Sequence, residues 1–105
     1  MANTVKALFR GAATTTTTTV LYTVPASTST VVTNIAVTNT ASSSATFTLG
    51  MGTAGSNTSI HTTTAIGPNA TVYIDLKQVL ATTNTITGGA SATTVSFHIS
   101  GVEIA

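Results

Sequence analysis

Asp75, Glu103, His61 and His98 supply all the carboxylate and imidazole side chains of this sequence. If the strands bearing Asp75 and Glu103 adjoined, the pair could imitate the two carboxyls of a glycosidase. Nothing in their spacing requires this, so they read as outward carboxylates on two different strands, with Asp75 beside Lys77. His61 and His98 could share a metal ion in space or across a symmetry axis. They lack the spacing of a ligand set, so they read as surface or packing residues. There is no cysteine, which removes thiolate metal sites, a thiol nucleophile and disulfides. Gly50-Met51-Gly52-Thr53-Ala54-Gly55 spells G-x-G-x-x-G, but no helix is expected after it, so the match to a dinucleotide loop is spurious. No G-x-S-x-G elbow occurs among the many serines. The inventory predicts no catalytic residue, no cofactor and no metal: the chain reads as a non-enzyme.

Charge points the same way. Only 5% of the 105 residues are charged, against roughly 25% in an ordinary soluble domain. Threonine fills the gap, at about a quarter of the chain. It is β-branched and favours strands, and its hydroxyl keeps an outer face wet without charge. Disorder does not fit a formal charge of +1 and a mean hydropathy of +0.43, because disordered chains pair low hydropathy with high charge. So little charge suits a protein that lives inside an assembly rather than as a dilute monomer. Lys6, Arg10 and Lys77 are too few for a nucleic-acid footprint. No apolar run approaches the roughly 20 residues that span a bilayer. No signal peptide is visible either, so synthesis in the cytoplasm is expected.

The elements that must carry these residues follow from alternation with a period of two. Val5, Ala7 and Phe9 share one side of a first strand. Lys6, Leu8 and Arg10 share the other and form the candidate interface. Val20, Tyr22 and Val24 mark a second strand, ended by Pro25. A third runs over 29–39 with Val31, Ile35 and Val37, and a fourth holds Ala45, Phe47, Leu49 and Met51. The small residues 41–44 between them predict a hairpin. A loop is expected over 50–59, a short strand over 60–66 and a turn at Gly67-Pro68-Asn69. Val72, Ile74 and Leu76 mark the next strand, extended by Val79 and Leu80. A brief strand at 85–87 precedes a turn at Gly88-Gly89. Val95, Phe97 and Ile99 mark the last strand. Val102 and Ile104 fall on the opposite parity, which predicts a bulge at Gly101 that returns them to the core. The Thr14–Thr19 run is an extended connection or an edge strand. Seven to eight short strands without helical periodicity predict one all-β domain over 1–105, an antiparallel sandwich of jelly-roll type. Its expected core is Phe9, Tyr22, Val24, Ile35, Val37, Phe47, Leu49, Val72, Ile74, Leu76, Val95, Phe97 and Ile99. Threonines in T-x-T spacing resemble ice-binding arrays, but no constant repeat supports one.

From about Val20 onward the residues resemble a known group. Leu21 to Thr40 reads LYTVPASTSTVVTNIAVTNT, a YTVPA corner followed by a strand that ends in V-x-N-T. Ala45 to Leu49 continues with A-T-F-T-L, and Val95 to Ile104 closes as VSFHISGVEI. This pattern resembles small bacteriophage virion structural proteins. The resemblance implies a virion protein and carries no catalytic motif; members serve as head-decoration, neck or tail components. The expected role is capsid decoration: a homo-oligomer, expected to be a trimer, bound to the lattice of the major capsid protein. A tail, neck or fibre component is the alternative, and a carbohydrate-binding sandwich a further one.

Overall fold

A computed structural model describes residues 3–53 and 55–105, and the alternating segments form eight strands. They are β1 (Asn3–Ala12), β2 (Val20–Thr23), β3 (Ser29–Asn39), β4 (Ala45–Gly52), β5 (Thr58–Ile66), β6 (Thr71–Leu80), β7 (Thr85–Ala90) and β8 (Val95–Ile104). No helix occurs among the described residues. The antiparallel pairs β1·β8, β2·β7, β3·β6 and β4·β5 are those of one long two-stranded ribbon bent between β4 and β5. Rolling that ribbon up adds the contacts β3·β8 and β4·β7. The result is two four-stranded sheets, β1-β8-β3-β6 and β2-β7-β4-β5. This is the jelly-roll way of burying two apolar faces against each other.

The rolling corrects one sequence expectation. β3 and β4 are not a hairpin, because the 40–44 connection carries the chain from the first sheet to the second. The turn after β5 crosses back in the same way. Turn residues specify a reversal; they do not specify which sheet receives the next strand. A buried side chain holds this corner. Asn39 Nδ2 donates to the Ser43 carbonyl (2.8 Å) and the Gly67 carbonyl (3.1 Å), and its Oδ1 accepts from the Ala41 N–H (3.1 Å). Thr94 Oγ1, at the start of β8, also donates to Asn39 Oδ1. One amide therefore ties together the β3–β4, β5–β6 and β7–β8 connections.

The core contains Ile35, Val37, Phe47, Leu49, Val95, Phe97 and Ile99 as the alternation predicts, with Val24 beside them. Phe9, Tyr22, Val72, Ile74 and Leu76 pack against it half-buried. Leu8, Val32, Ile66, Leu80 and Ile86 are buried too. Leu8 and Val32 break the predicted parity for one shared reason. In the β1·β8 register Ala7 faces Ser100 while Phe9 faces Ile99, so Leu8 is an extra residue. In the β3·β8 register Val32 faces Gly101 while Asn34 faces Ser100, so Thr33 is extra. An extra residue reverses the phase of everything beyond it.

The bulges thus lie in the strands flanking β8, and β8 itself runs unbroken through Gly101. Val102 and Ile104 consequently stay on the outer face, against the sequence expectation. Gly101 is glycine because its neighbours close over it: a Cβ there would stand 2.4 Å from the Val31 carbonyl oxygen and 2.9 Å from Leu8 Cδ1. Gly101→Ala is therefore expected to destabilise by about 1–3 kcal/mol, as overpacking against backbone does. The midpoint of urea unfolding measures this, and an unchanged midpoint would refute the packing argument.

Gly88 and Gly89 are likewise not a turn but part of β7. A Cβ on Gly89 would meet the Thr16 carbonyl oxygen at 2.4 Å. The Thr14–Thr19 run passes there as a connection that is neither extended nor an edge strand: it turns at Thr17–Thr18, where the Thr19 N–H donates to the Thr16 carbonyl at 3.2 Å. Its Thr19 and Thr14 carbonyls accept from the N–H groups of Gly88 and Ala90, both at 2.9 Å. The run thus covers the stretch of β7 that the short β2 leaves unpaired.

Candidate functional surfaces

The β1 bulge separates the three residues of the predicted interface. Leu8 turns into the core, with only 8% of its surface accessible. It cannot belong to an outer face, because the extra residue puts it on the same side as Phe9. Lys6 lies at the mouth between the sheets, its Nζ 3.4 Å from a Glu103 carboxylate oxygen. Arg10 alone is exposed on the outer face of the first sheet, opposite His98 in register.

Glu103 also departs from expectation, facing inward rather than out. Its carboxylate accepts the Tyr22 hydroxyl proton, and Tyr22 Oη lies 2.9 Å from Thr30 Oγ1. Tyr22 comes from the second sheet and its partners from the first, so the cluster clasps the two sheets at one end. Burial, and then the hydrogen bond to Glu103, push the Tyr22 phenol up to about 12. Both effects disfavour a phenolate, so Tyr22 stays a donor throughout the physiological range. Lys6–Glu103 is the one ion pair among the described residues. Asp75 is not paired with Lys77; it accepts from Asn34 Nδ2 at 3.3 Å on the outer face. Asp75 and Glu103 therefore lie on opposite faces of one sheet, where they cannot act together on one glycosidic bond.

The histidines are separated as well. His61, on β5, packs with its ring 5.5 Å from Phe47 and its Nδ1 3.2 Å from Thr64 Oγ1. His98 is exposed on the outer face of the other sheet. No group of three or more His, Cys, Asp and Glu side chains able to hold a metal occurs among the described residues. Gly50 lies within β4, and the chain goes on through a loop into strand β5 rather than a helix. A hollow of about 410 Å³ opens on the second sheet, lined by Thr17, Thr48, Gly50, Asn57, Thr85 and Thr87 among others. It presents hydroxyls and an amide but no aromatic ring on which a sugar could stack. Asn57 is already engaged, donating to Thr87 Oγ1 and the Thr85 carbonyl and accepting from Thr85 Oγ1.

The outer face of the first sheet carries more pattern. Register aligns its side chains in rows that cross all four strands. Val5, Val102, Val31 and Val79 make one row. Ala7, Ser100, Asn34 and Asp75 make the next, and Arg10, His98, Ala36 and Tyr73 the one beyond. The valine row is apolar from edge to edge, and sequence reasoning missed it. Its only signal was the reversed parity of Val102, which a bulge in β8 would have explained away. All five charged residues lie on this sheet, and β2, β4, β5 and β7 have none.

No family model matches the chain, and no curated protein matches it. Solved structures do match in fold. The crystal structure of the T13 infectious bursal disease virus particle aligns with a TM-score of 0.56 at 11% identity, over 96% of this chain and 30% of that one. The Gx strain of the same virus aligns at 0.57 and 13% identity, over 97% and 30%. The VP2 subviral particle of that virus aligns at 0.56 and 12% identity, over 97% and 32%. The chain spans about a third of the length of these structures. At such identities the likeness is one of fold.

Proposed function

We propose that this chain is a structural protein of a bacteriophage virion and that it decorates the capsid. It binds the lattice of the major capsid protein as a homo-oligomer, a trimer at threefold positions, and braces the shell against packaged DNA. The observation that carries the reading is the jelly roll itself: an almost uncharged sandwich, aligned along nearly its whole length with virus-particle structures. The YTVPA-to-V-x-N-T resemblance supplies the phage. Composition adds that a chain with only 5% charged residues is poorly suited to life as a dilute monomer. Repetition over a lattice supplies avidity, so individually weak contacts suffice. No step of this function needs a reacting group, and the dispersed Asp75, Glu103, His61 and His98 agree with that.

Particles lacking the protein test the proposal. They are expected to assemble, to lose DNA on mild heating and to regain resistance when purified protein is added back. Intact heads with missing or defective tails would overturn decoration in favour of a tail or neck station.

A further inference from the structure

We infer that copies of this chain join head to tail through the first sheet, β6 of one copy adding to β1 of the next. This names the contact behind the self-association proposed above and rests on that reading.

Three observations carry it. The first is strand direction. Every pair in β1-β8-β3-β6 is antiparallel, so β1 and β6 run in opposite directions. A second sheet laid beside the first in the same orientation therefore sets β1 of the next copy antiparallel to β6. Each of these strands is 10 residues long and uses only one edge within the chain. The edges of the second sheet are less suitable. β2 has 4 residues, and the β4·β5 pairing shifts register twice. Short or repeatedly bulged edges are a usual means of preventing strand addition, whereas β1 and β6 each shift register only once against their neighbours.

The second observation is the valine row. Its inner members Val102 and Val31 are half-buried, whereas Val5 and Val79, at its two ends, are 83% and 71% exposed. Placing β6 beside β1 of the next copy in this row brings Val79 against Val5 and continues the apolar row across the junction. Val–Val pairs of this kind stabilise adjacent strands.

The third is charge. With the valines in register, the row holding Arg10 at one edge and Tyr73 at the other also meets itself. Arg10 of the next copy then lies over the exposed Tyr73 ring and diagonal to Asp75. Cation–π and opposite-charge contacts of this kind favour the pairing and fix its register. Lys6 of the incoming strand is already held by its own Glu103. Between the valine row and the Arg10–Tyr73 row β1 has four residues (6–9) and β6 five (74–78), so the added pair carries one extra residue in β6. The β3·β6 pair already carries the same excess, four residues (32–35) against those five, at Leu76–Lys77. Such a contact joins two different surfaces, the kind that builds rings when the rotation closes.

The chain has no cysteine, so cross-linking reads the contact directly. Val5→Cys and Val79→Cys in one chain are expected to give a ladder of disulfide-linked oligomers on mild oxidation. Mixing the two single variants is expected to give one mixed dimer, and either single variant alone little. Arg10→Asp is expected to weaken association roughly tenfold by sedimentation, with Arg10→Asp/Asp75→Arg restoring it. Oligomers that sediment together but fail to cross-link would overturn this contact while leaving self-association standing. Efficient dimers from one single variant would also overturn it, in favour of a two-fold contact. A chain that stays monomeric at all concentrations would refute self-association itself, and this contact with it.

Discussion

Phe97→Ala is expected to lower the free energy of unfolding by about 3–5 kcal/mol, the usual range for emptying a buried aromatic site. Phe97 lies on β8 and is fully buried, with its ring edge-on to Phe47 of the opposite sheet at 6.3 Å and 70°. The pair is where the two sheets meet, so truncation removes both the transfer term and the contact that sets their spacing. The backbone on either side is fixed by β1 and β3, which leaves little room for collapse into the cavity. Native domains hold only about 5–15 kcal/mol in total, so a large share of the stability would be lost. Urea unfolding followed by far-ultraviolet circular dichroism measures it, with Tyr73→Ala on the outer face expected to move stability by less than about 0.5 kcal/mol. Equal midpoints for the two variants would mean that the parity assigned to β8 is wrong.

Asn39→Asp is expected to cost about 3–5 kcal/mol at neutral pH, the range for leaving a buried charge uncompensated. The substitution changes almost no volume. It replaces the Nδ2 donor, which faces the Ser43 and Gly67 carbonyls, with an oxygen that repels both. Burial and these carbonyls disfavour the carboxylate, so the folded-state pKa of the introduced carboxyl group lies above its unfolded value of about 3.9. A carboxyl whose pKa is raised by folding is best tolerated below its unfolded pKa, and stability falls as pH rises towards the folded one. The deficit relative to wild type is therefore expected to shrink as pH is lowered towards about 4 and to be full at neutral pH. A deficit independent of pH would show that Asn39 acts through shape rather than through its hydrogen bonds.

Much of the architecture was legible in the residues. Val95, Phe97 and Ile99, or Ala45, Phe47, Leu49 and Met51, alternate because a strand presents successive side chains to opposite faces. Where no bulge intervenes, burial follows that period. The sparse carboxylates and imidazoles were legible as well, and the structure brings neither pair together. The face assigned to Lys6, Leu8 and Arg10 was not. One extra residue at Leu8 turned the middle member inward, and the space that receives it exists only because Gly101 lies across the strand. Glu103 was read as outward because its inward partner, Tyr22, comes from a different sheet 81 positions away.

Local order is thus a property of the sequence here: the strands, most of their buried faces, some of the turns (Gly67-Pro68-Asn69 but not Gly88-Gly89), the near-absence of charge and the hydroxyl-rich surface. Tertiary structure decided where phase is broken, which sheet each strand enters and which side chains of different strands fall into one row. A strand's register depends on hydrogen bonds and side-chain volumes supplied by its neighbours, so a bulge costs little locally and is chosen by what lies opposite. The row from Val5 to Val79 draws one residue from each of four strands distant in sequence, and it exists only once the ribbon is rolled.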